Sequence, residues 1–229
     1  MRTRILVAAI ATAFATSAAP AAAQDPIQPG DYMETGGSAC TLNFVYDGTG
    51  SLAGKTYLGT AAHCVSKVGD DVALEDGTVF GDVALIGDES AAAPDYAFIE
   101  VRPGFVGRVS PALKGHPTLP RGGFTRASET SVGDQIQQSG YGLGANLTNV
   151  TREQRRSVIS YDNAEEHGII GFSIFGDSGG PYVHLPTGKA FGIVSRACID
   201  ICQEQGPTVE GLLAKAAARG FTVQIRTVS

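Results

Sequence analysis

Several features common in chains of this length are missing here. After residue 19 no stretch approaches the roughly 18 uninterrupted apolar residues that a spanning helix needs, and nowhere is there a cluster of Lys or Arg. With a formal charge of -6 and 17% charged residues, the lack of a basic patch removes the electrostatic footprint of a nucleic-acid or anionic-membrane partner. A sustained helical period is also missing until about residue 208. Thirty Gly and 11 Pro punctuate the chain, so the fold class is read as all-β, with short antiparallel strands arranged as barrels or sandwiches. The four cysteines lack the usual zinc-site spacing, so no metal centre of thiolates is expected.

What is present starts with an export signal. Arg2 and Arg4 make a basic start, residues 5–19 an apolar run, and Ala21-Ala22-Ala23 a small-residue cleavage site. The expectation is a secreted, soluble product beginning near Gln24, with about 205 residues left, a length at which an all-β barrel protein is often one domain. Residues 24–37, with two Pro, three Gly and no Lys or Arg, read as a flexible arm before a domain over 38–229. Strands are expected over 41–46, 56–60, 78–86, 96–101, 135–139, 157–161, 181–184 and 190–195, where β-branched and aromatic residues lie between turn signals. A helix is expected over 208–219, with Thr208 as N-cap, Glu210 in its first turn and Gly220 beyond its end, followed by a strand over 221–227. Residues 102–121, with prolines and weak patterning, read as the connection between two halves. In an oxidising exterior Cys40, Cys64, Cys198 and Cys202 should pair. Of three possible pairings, Cys40 with Cys64 and Cys198 with Cys202 are favoured, the first contributing roughly 3 kcal/mol in the chain-entropy model.

Three local motifs carry chemistry. Gly176-Asp177-Ser178-Gly179-Gly180-Pro181 places a serine between glycines, where the backbone can expose its hydroxyl. Thr60-Ala61-Ala62-His63-Cys64 supplies a histidine, and Pro94-Asp95-Tyr96-Ala97 an aspartate just ahead of an apolar strand. A serine hydroxyl is a weak nucleophile at neutral pH and needs a base, and the base needs a third group to fix its tautomer. The order His63, Asp95, Ser178 is compatible with that arrangement. If residues 176–178 make a tight turn, the amides of Gly176 and Ser178 converge as an oxyanion hole, worth roughly 3 to 4 kcal/mol per donor. His116, His167 and His184 lack such settings and read as ordinary surface or barrel residues.

With these motifs the chain resembles the chymotrypsin-like serine endopeptidases, and in style the secreted bacterial members such as the streptogrisins. Cys40-Thr41-Leu42-Asn43-Phe44 with Ala61-Ala62-His63-Cys64 is similar to the family's first-barrel strands and disulfide. Ser139-Gly140-Tyr141-Gly142 resembles its Gly-aromatic-Gly motif, and Gly192-Ile193-Val194-Ser195 its substrate-pairing strand. The resemblance implies two antiparallel six-stranded barrels with the site between them, and a monomeric enzyme that cleaves polypeptides without a cofactor. It implies His63, Asp95 and Ser178 as catalytic residues, Gly176 and Ser178 as the oxyanion hole, and Ser195, Arg196 and Ala197 as a strand that binds substrate backbone.

The departures matter as well. The arm has no Arg/Lys cleavage site to free an amine for Asp177, so its partner is expected among Gln135, Gln137, Gln138, Arg152, Arg155 and Arg156. Phe172 stands where trypsin-like members place an aspartate, which with Ile174 and Arg196-Ala197 implies a cramped or apolar pocket for a small or medium side chain. Asp200 and Glu204 would change this if either carboxylate turned inward. Asp70, Asp71, Asp76, Asp82 and Asp88 follow no specific calcium-loop spacing, and Asn146 and Asn149 fit the glycosylation acceptor pattern. The rival readings are a silent binding protein on the same fold and an esterase using the same triad.

Overall fold

The structure, a computed structural model, describes residues 24–88, 90, 94–142, 155–196 and 203–229. The N-terminal signal, Asn146, Asn149, Ala197 and the Cys198–Cys202 pair lie outside them. Seven strands come first: β1 Tyr32–Thr35, β2 Ser38–Thr41, β3 Val45–Gly48, β4 Thr56–Thr60, β5 Asp71–Ala73, β6 Val79–Ile86 and β7 Ala97–Val101. Six more follow: β8 Gln135–Gln138, β9 Arg155–Asp162, β10 Glu166–Ile170, β11 Pro181–His184, β12 Lys189–Ile193 and β13 Gln203–Pro207. Helix α1, Val209–Ala218, and β14, Val223–Arg226, end the chain.

The strands form two antiparallel sheets in a chymotrypsin-like fold. One has the order β14-β3-β4-β7-β6-β5-β1-β2 and the other β12-β11-β8-β9-β10-β13. The second sheet has the expected six strands, and the first has eight because β1 and the C-terminal β14 join it. Part of the segment read as an arm over 24–37 is built into the first sheet. Ile27 is buried and bridges Val109, Met33 is buried, and β1 pairs with β2 from Tyr32↔Thr41 to Thr35↔Ser38. The apolar Ile27 and Met33 outweigh the turn-forming glycines around them, because their burial stabilises more than the hairpin costs. The connection between the sheets runs from Val101 to Gln135, beyond the 102–121 expected, and includes a 3-10 turn at Pro103–Arg108.

Apolar residues place the core in three clusters. Met33, Leu42, Leu58, Phe80 and Ile99 fill the first sheet, and Ile136, Ile159, Ile169, Tyr182 and Phe191 the second. A third cluster spans the two: Phe44, Tyr46, Tyr57 and Phe98 from the first sheet pack with Val183, Ile193 and Leu212 of α1. This seam packs one sheet against the other. Helix α1 begins as its sequence suggests, with Thr208 Oγ1 accepting from the Gly211 amide at 3.0 Å while donating to the Ala164 carbonyl at 2.7 Å.

The second sheet also encloses His167, fully buried between Tyr182 and Phe191, with Nε2 3.2 Å from the Ile193 carbonyl. Burial lowers its pKa from 6.5 to about 3. His184 is buried in β11 against Asp134, and His116 occupies a turn between Leu113 and Leu119.

Two measurements test this account. Thr208→Ala should cost about 1–2 kcal/mol, seen as a lower urea midpoint with an unchanged m-value. Because the folded His167 binds its proton only near pH 3 while the unfolded one does so near 6.5, its stabilising contribution is complete above pH 6.5 and falls as pH drops toward 3. From this group alone the loss between pH 7 and pH 4 should be on the order of 3 kcal/mol, and His167→Gln should flatten that slope.

Candidate active site

His63 sits in a 3-10 turn, Ala62–Cys64, that follows β4, and Asp95 lies just before β7, separated from it by Tyr96, β7 being the strand paired with β4. That neighbouring placement brings them together. Asp95 Oδ1 accepts the His63 amide at 3.1 Å, and Oδ2 lies 2.8 Å from His63 Nδ1. Asp95 is 2% exposed, and Oδ2 also accepts from Ser195 Oγ at 2.5 Å. Burial alone would raise the Asp95 pKa, but the bonds from His63 and Ser195 and the charge of the imidazole outweigh it and hold the carboxyl below its ordinary value. An ionised Asp95 then accepts from Nδ1, which leaves Nε2 as the basic nitrogen.

Ser178 comes from the second half of the chain, on a loop that residues of the first sheet hold. The Thr41 amide donates to the Ser178 carbonyl at 2.9 Å, Thr41 Oγ1 to the Gly176 carbonyl at 2.7 Å, and Asn43 Nδ2 to the Gly179 carbonyl at 3.0 Å. The Cys40–Cys64 disulfide ties β2 to the His63 turn beside this loop. Two glycines are obligatory. Gly176 has φ +98°, which L side chains rarely adopt, and a Cβ on Gly179 would stand 2.2 Å from Thr60 Oγ1 and 2.6 Å from the Thr41 carbonyl. The neighbouring amides are engaged: Asp177 with Ile174, Gly179 with Val194, and Gly180 with Asp177. Those of Gly176 and Ser178 donate to no acceptor among the described residues.

His63, Asp95, Gly176, Ser178, Ser195 and Arg196 all line one cleft of about 650 Å³, joined by Ser38, Ala39, Cys40 and Phe175. Arg196 exchanges both of its backbone hydrogen bonds with Gln205, at 2.9 and 3.1 Å. The Ser195 amide also donates to the Gln205 carbonyl, at 3.2 Å, and Ala197 lies outside the described residues. Ser195 also has a second role that the sequence reading missed, since its hydroxyl turns onto Asp95. Phe172 departs from expectation. Its carbonyl accepts from Arg155 Nη1 at 3.1 Å, and its side chain is 52% exposed and does not line the cleft.

Asp177 finds its partner in Arg155, at the start of β9. Both guanidinium Nη atoms reach the carboxylate, Nη2 to Oδ1 at 2.6 Å. The carboxylate also accepts from the amides of Gly142 at 2.9 Å and Ile174 at 2.8 Å. Of the residues proposed from the sequence, Gln138 instead bonds Ser173, and Arg156 lies near Gln135. Thr41 and Asn43 carried no sequence signal for their role. The aspartates considered for calcium are committed elsewhere: Asp71 and Asp82 to Arg102, Asp70 to Lys67, and Asp76 and Asp88 to local turns. Among the described residues the one close grouping of metal-ligating side chains is Cys40, His63 and Cys64, and its two sulfurs are bonded to each other.

Removing one partner of a buried ion pair strands the other charge. Arg155→Met should therefore lower stability by about 3–5 kcal/mol in chemical denaturation. It should also cut the rate at which a fluorophosphonate labels Ser178, since Asp177 lies between Gly176 and Ser178.

A search of curated proteins finds no significant match. Among solved structures, Thermobifida fusca protease A superposes with a TM-score of 0.63 at 20% identity, covering 89% of this chain and 100% of that one. Nocardiopsis protease gives 0.62 at 18%, covering 88% and 99%. A glutamic-acid-specific serine protease described as using a histidine triad in substrate binding gives 0.61 at 21%, covering 87% and 100%. The sequence itself matches the trypsin family over residues 27–214, most of its length, and the chain belongs to that family.

Proposed function

We propose that the chain is a secreted, monomeric serine endopeptidase that cleaves polypeptides through an acyl-enzyme, with no cofactor in the reaction. The observation that carries this reading is the single cleft in which the His63–Asp95 pair faces the Ser178 loop, with Gly176 in its left-handed conformation. Ser178 Oγ attacks the substrate carbonyl carbon while its proton passes to His63 Nε2. The carbonyl π pair moves onto oxygen, where the Gly176 and Ser178 amides receive it. His63 then gives the proton to the departing amine as the C–N bond breaks, leaving an ester on Ser178. Water, deprotonated by His63, attacks that ester and returns the serine. Asp95 stays ionised throughout, held by Ser195 and the His63 amide, and stabilises the imidazolium.

Two further observations support parts of the reading. Arg155 already supplies the positive charge that Asp177 needs, so assembly of the loop calls for no newly released amine. Export fits the N-terminal signal and the disulfide between Cys40 and Cys64. The histidine-based recognition of the glutamic-acid-specific structure is not carried over. Of the four histidines only His63 lines the cleft, and His116, His167 and His184 are placed elsewhere.

The test is covalent labelling of the purified chain with a fluorophosphonate, beside Ser178→Ala, followed by mass-spectrometric location of the adduct. An adduct on Ser178 and hydrolysis of peptide anilides are expected. Ser178→Ala and His63→Ala should each lower kcat/KM by about 10⁴-fold or more. Hydrolysis of esters without anilides would favour the esterase reading. No adduct would favour a binding protein.

A further inference from the structure

The segment Gly140-Tyr141-Gly142 meets the Ser178 loop through its backbone, while its one side chain leads elsewhere. A Cβ on Gly140 would stand 2.3 Å from Asp177 Oδ1, and one on Gly142 would stand 2.4 Å from Ile174 Cγ2 and 2.9 Å from Asp177 Oδ1. Only glycine fits at either place, so the segment lies close against the carboxylate. Two amides then make its contacts. That of Gly142 donates to Asp177 Oδ1 at 2.9 Å, and that of Tyr141 donates to Thr41 Oγ1 at 2.9 Å.

Thr41 passes that contact on. It is fully buried, and its hydroxyl, accepting from the Tyr141 amide, gives its own proton to the Gly176 carbonyl at 2.7 Å. Its amide donates to the Ser178 carbonyl at 2.9 Å. One residue thereby holds both of the residues whose amides the proposed reaction turns on the oxyanion. At the other end, the Tyr141 hydroxyl donates to Glu75 Oε1, and the ring meets that of Tyr32 edge-on, with centroids 4.7 Å apart. Glu75 is exposed, on the turn between β5 and β6 that the Gly77 amide closes onto the Leu74 carbonyl at 2.9 Å. A line of bonds therefore runs from the surface of the first sheet through Glu75, Tyr141 and Thr41 to Gly176.

We propose that Tyr141 and Glu75 are positioning residues for the oxyanion hole and that they act through the Thr41 hydroxyl. The inference rests on the peptidase reading of the same cleft. A hydroxyl has one proton to give and turns to suit its neighbours. The Tyr141 amide occupies a lone pair of Thr41 Oγ1 and so aims the proton at the Gly176 carbonyl. That amide keeps its place only while the segment does, and between two glycines the Tyr141 side chain is the segment's own anchor. Packing on Tyr32 leaves the ring free to shift in its plane, whereas a directional bond to the Glu75 carboxylate fixes where it ends. Small shifts matter at Gly176, since a misplacement of about 1 Å can cost about 10²-fold in rate. A donor aimed at the oxyanion acts in the transition state, so the loss falls on kcat rather than on KM.

The experiment uses the full mature chain and a peptide anilide that it cleaves. Tyr141→Phe keeps the ring on Tyr32 and removes only the hydroxyl; it should lower kcat about 5- to 10-fold and leave KM within about 2-fold. A peptide boronate, whose adduct on Ser178 puts an oxygen in the hole, should bind more weakly by the same factor. Glu75→Ala should match Tyr141→Phe, and Glu75→Gln, which keeps an oxygen for the Tyr141 hydroxyl, should recover most of the loss. Thr41→Val, equal in shape but without the hydroxyl, should lower kcat about 10²-fold, and adding Tyr141→Phe to it should cost no more than about 2-fold further. Equal losses from Tyr141→Phe with and without Thr41→Val, or a raised KM at unchanged kcat, would overturn the inference and leave the peptidase reading standing. Should Thr41→Val fail to fold, the contrast of Glu75→Ala with Glu75→Gln on the exposed turn decides instead. If Ser178 of the unaltered chain does not label with a fluorophosphonate, the peptidase reading falls, and hydrogen exchange still decides the hold of Tyr141 on the loop. Tyr141→Phe should then speed deuterium uptake over residues 174–178 and not over β12, and unchanged uptake there would overturn the inference.

Discussion

The buried carboxylate of Asp177 is the point on which the site depends. It is fully enclosed, and it gathers two bonds from Arg155 and two from backbone amides at Gly142 and Ile174. These partners come from three separate stretches of chain, so the carboxylate fixes the Gly-Tyr-Gly segment, the start of β9 and the loop of Ser178 with respect to one another. An ionised group in such surroundings is tolerable only when its bonds are complete. Completeness therefore becomes geometry: the loop has one conformation in which all four bonds form. Thr41 and Asn43 add bonds from the first sheet to the carbonyls of Gly176 and Gly179, and both halves of the molecule hold the same few residues.

The two sheets divide the work unequally. The first is filled mainly by aliphatic and aromatic side chains, the best means of stabilising a small barrel. The second buries Gln138, Ser157, His167 and Glu204 among its apolar residues. Oxygen or nitrogen atoms of these four stand without a partner among the described residues. Such groups cost about 1–3 kcal/mol each when left unsatisfied.

Local signals were legible in the sequence and distant ones were not. β4 and β11 run over the residues expected of them because β-branched and aromatic side chains there lie between turn formers. β13 escaped notice because Gln-Glu-Gln-Gly-Pro has the composition of a loop, and only its pairing with β10 makes it a strand. The same division holds at the site. His63, Asp95 and Ser178 each carry a short motif, and the fold gathers them. Arg155 could be named only as one of six candidates, since nothing in sequence links it to Asp177 except opposite charge. Thr41 and Asn43 act across separations of 135 and 136 residues, a relation that no local pattern encodes.

The pairing of β14 with β3, from Val223↔Gly48 to Arg226↔Val45, joins the strand that follows α1 to one early in the first sheet. On a ribosome, the sheet that holds His63 and Asp95 stays an open edge until residues 223–226 have emerged. Any intermediate of synthesis in which β14 has not emerged therefore leaves β3 without that partner, even when every residue of the cleft is already present.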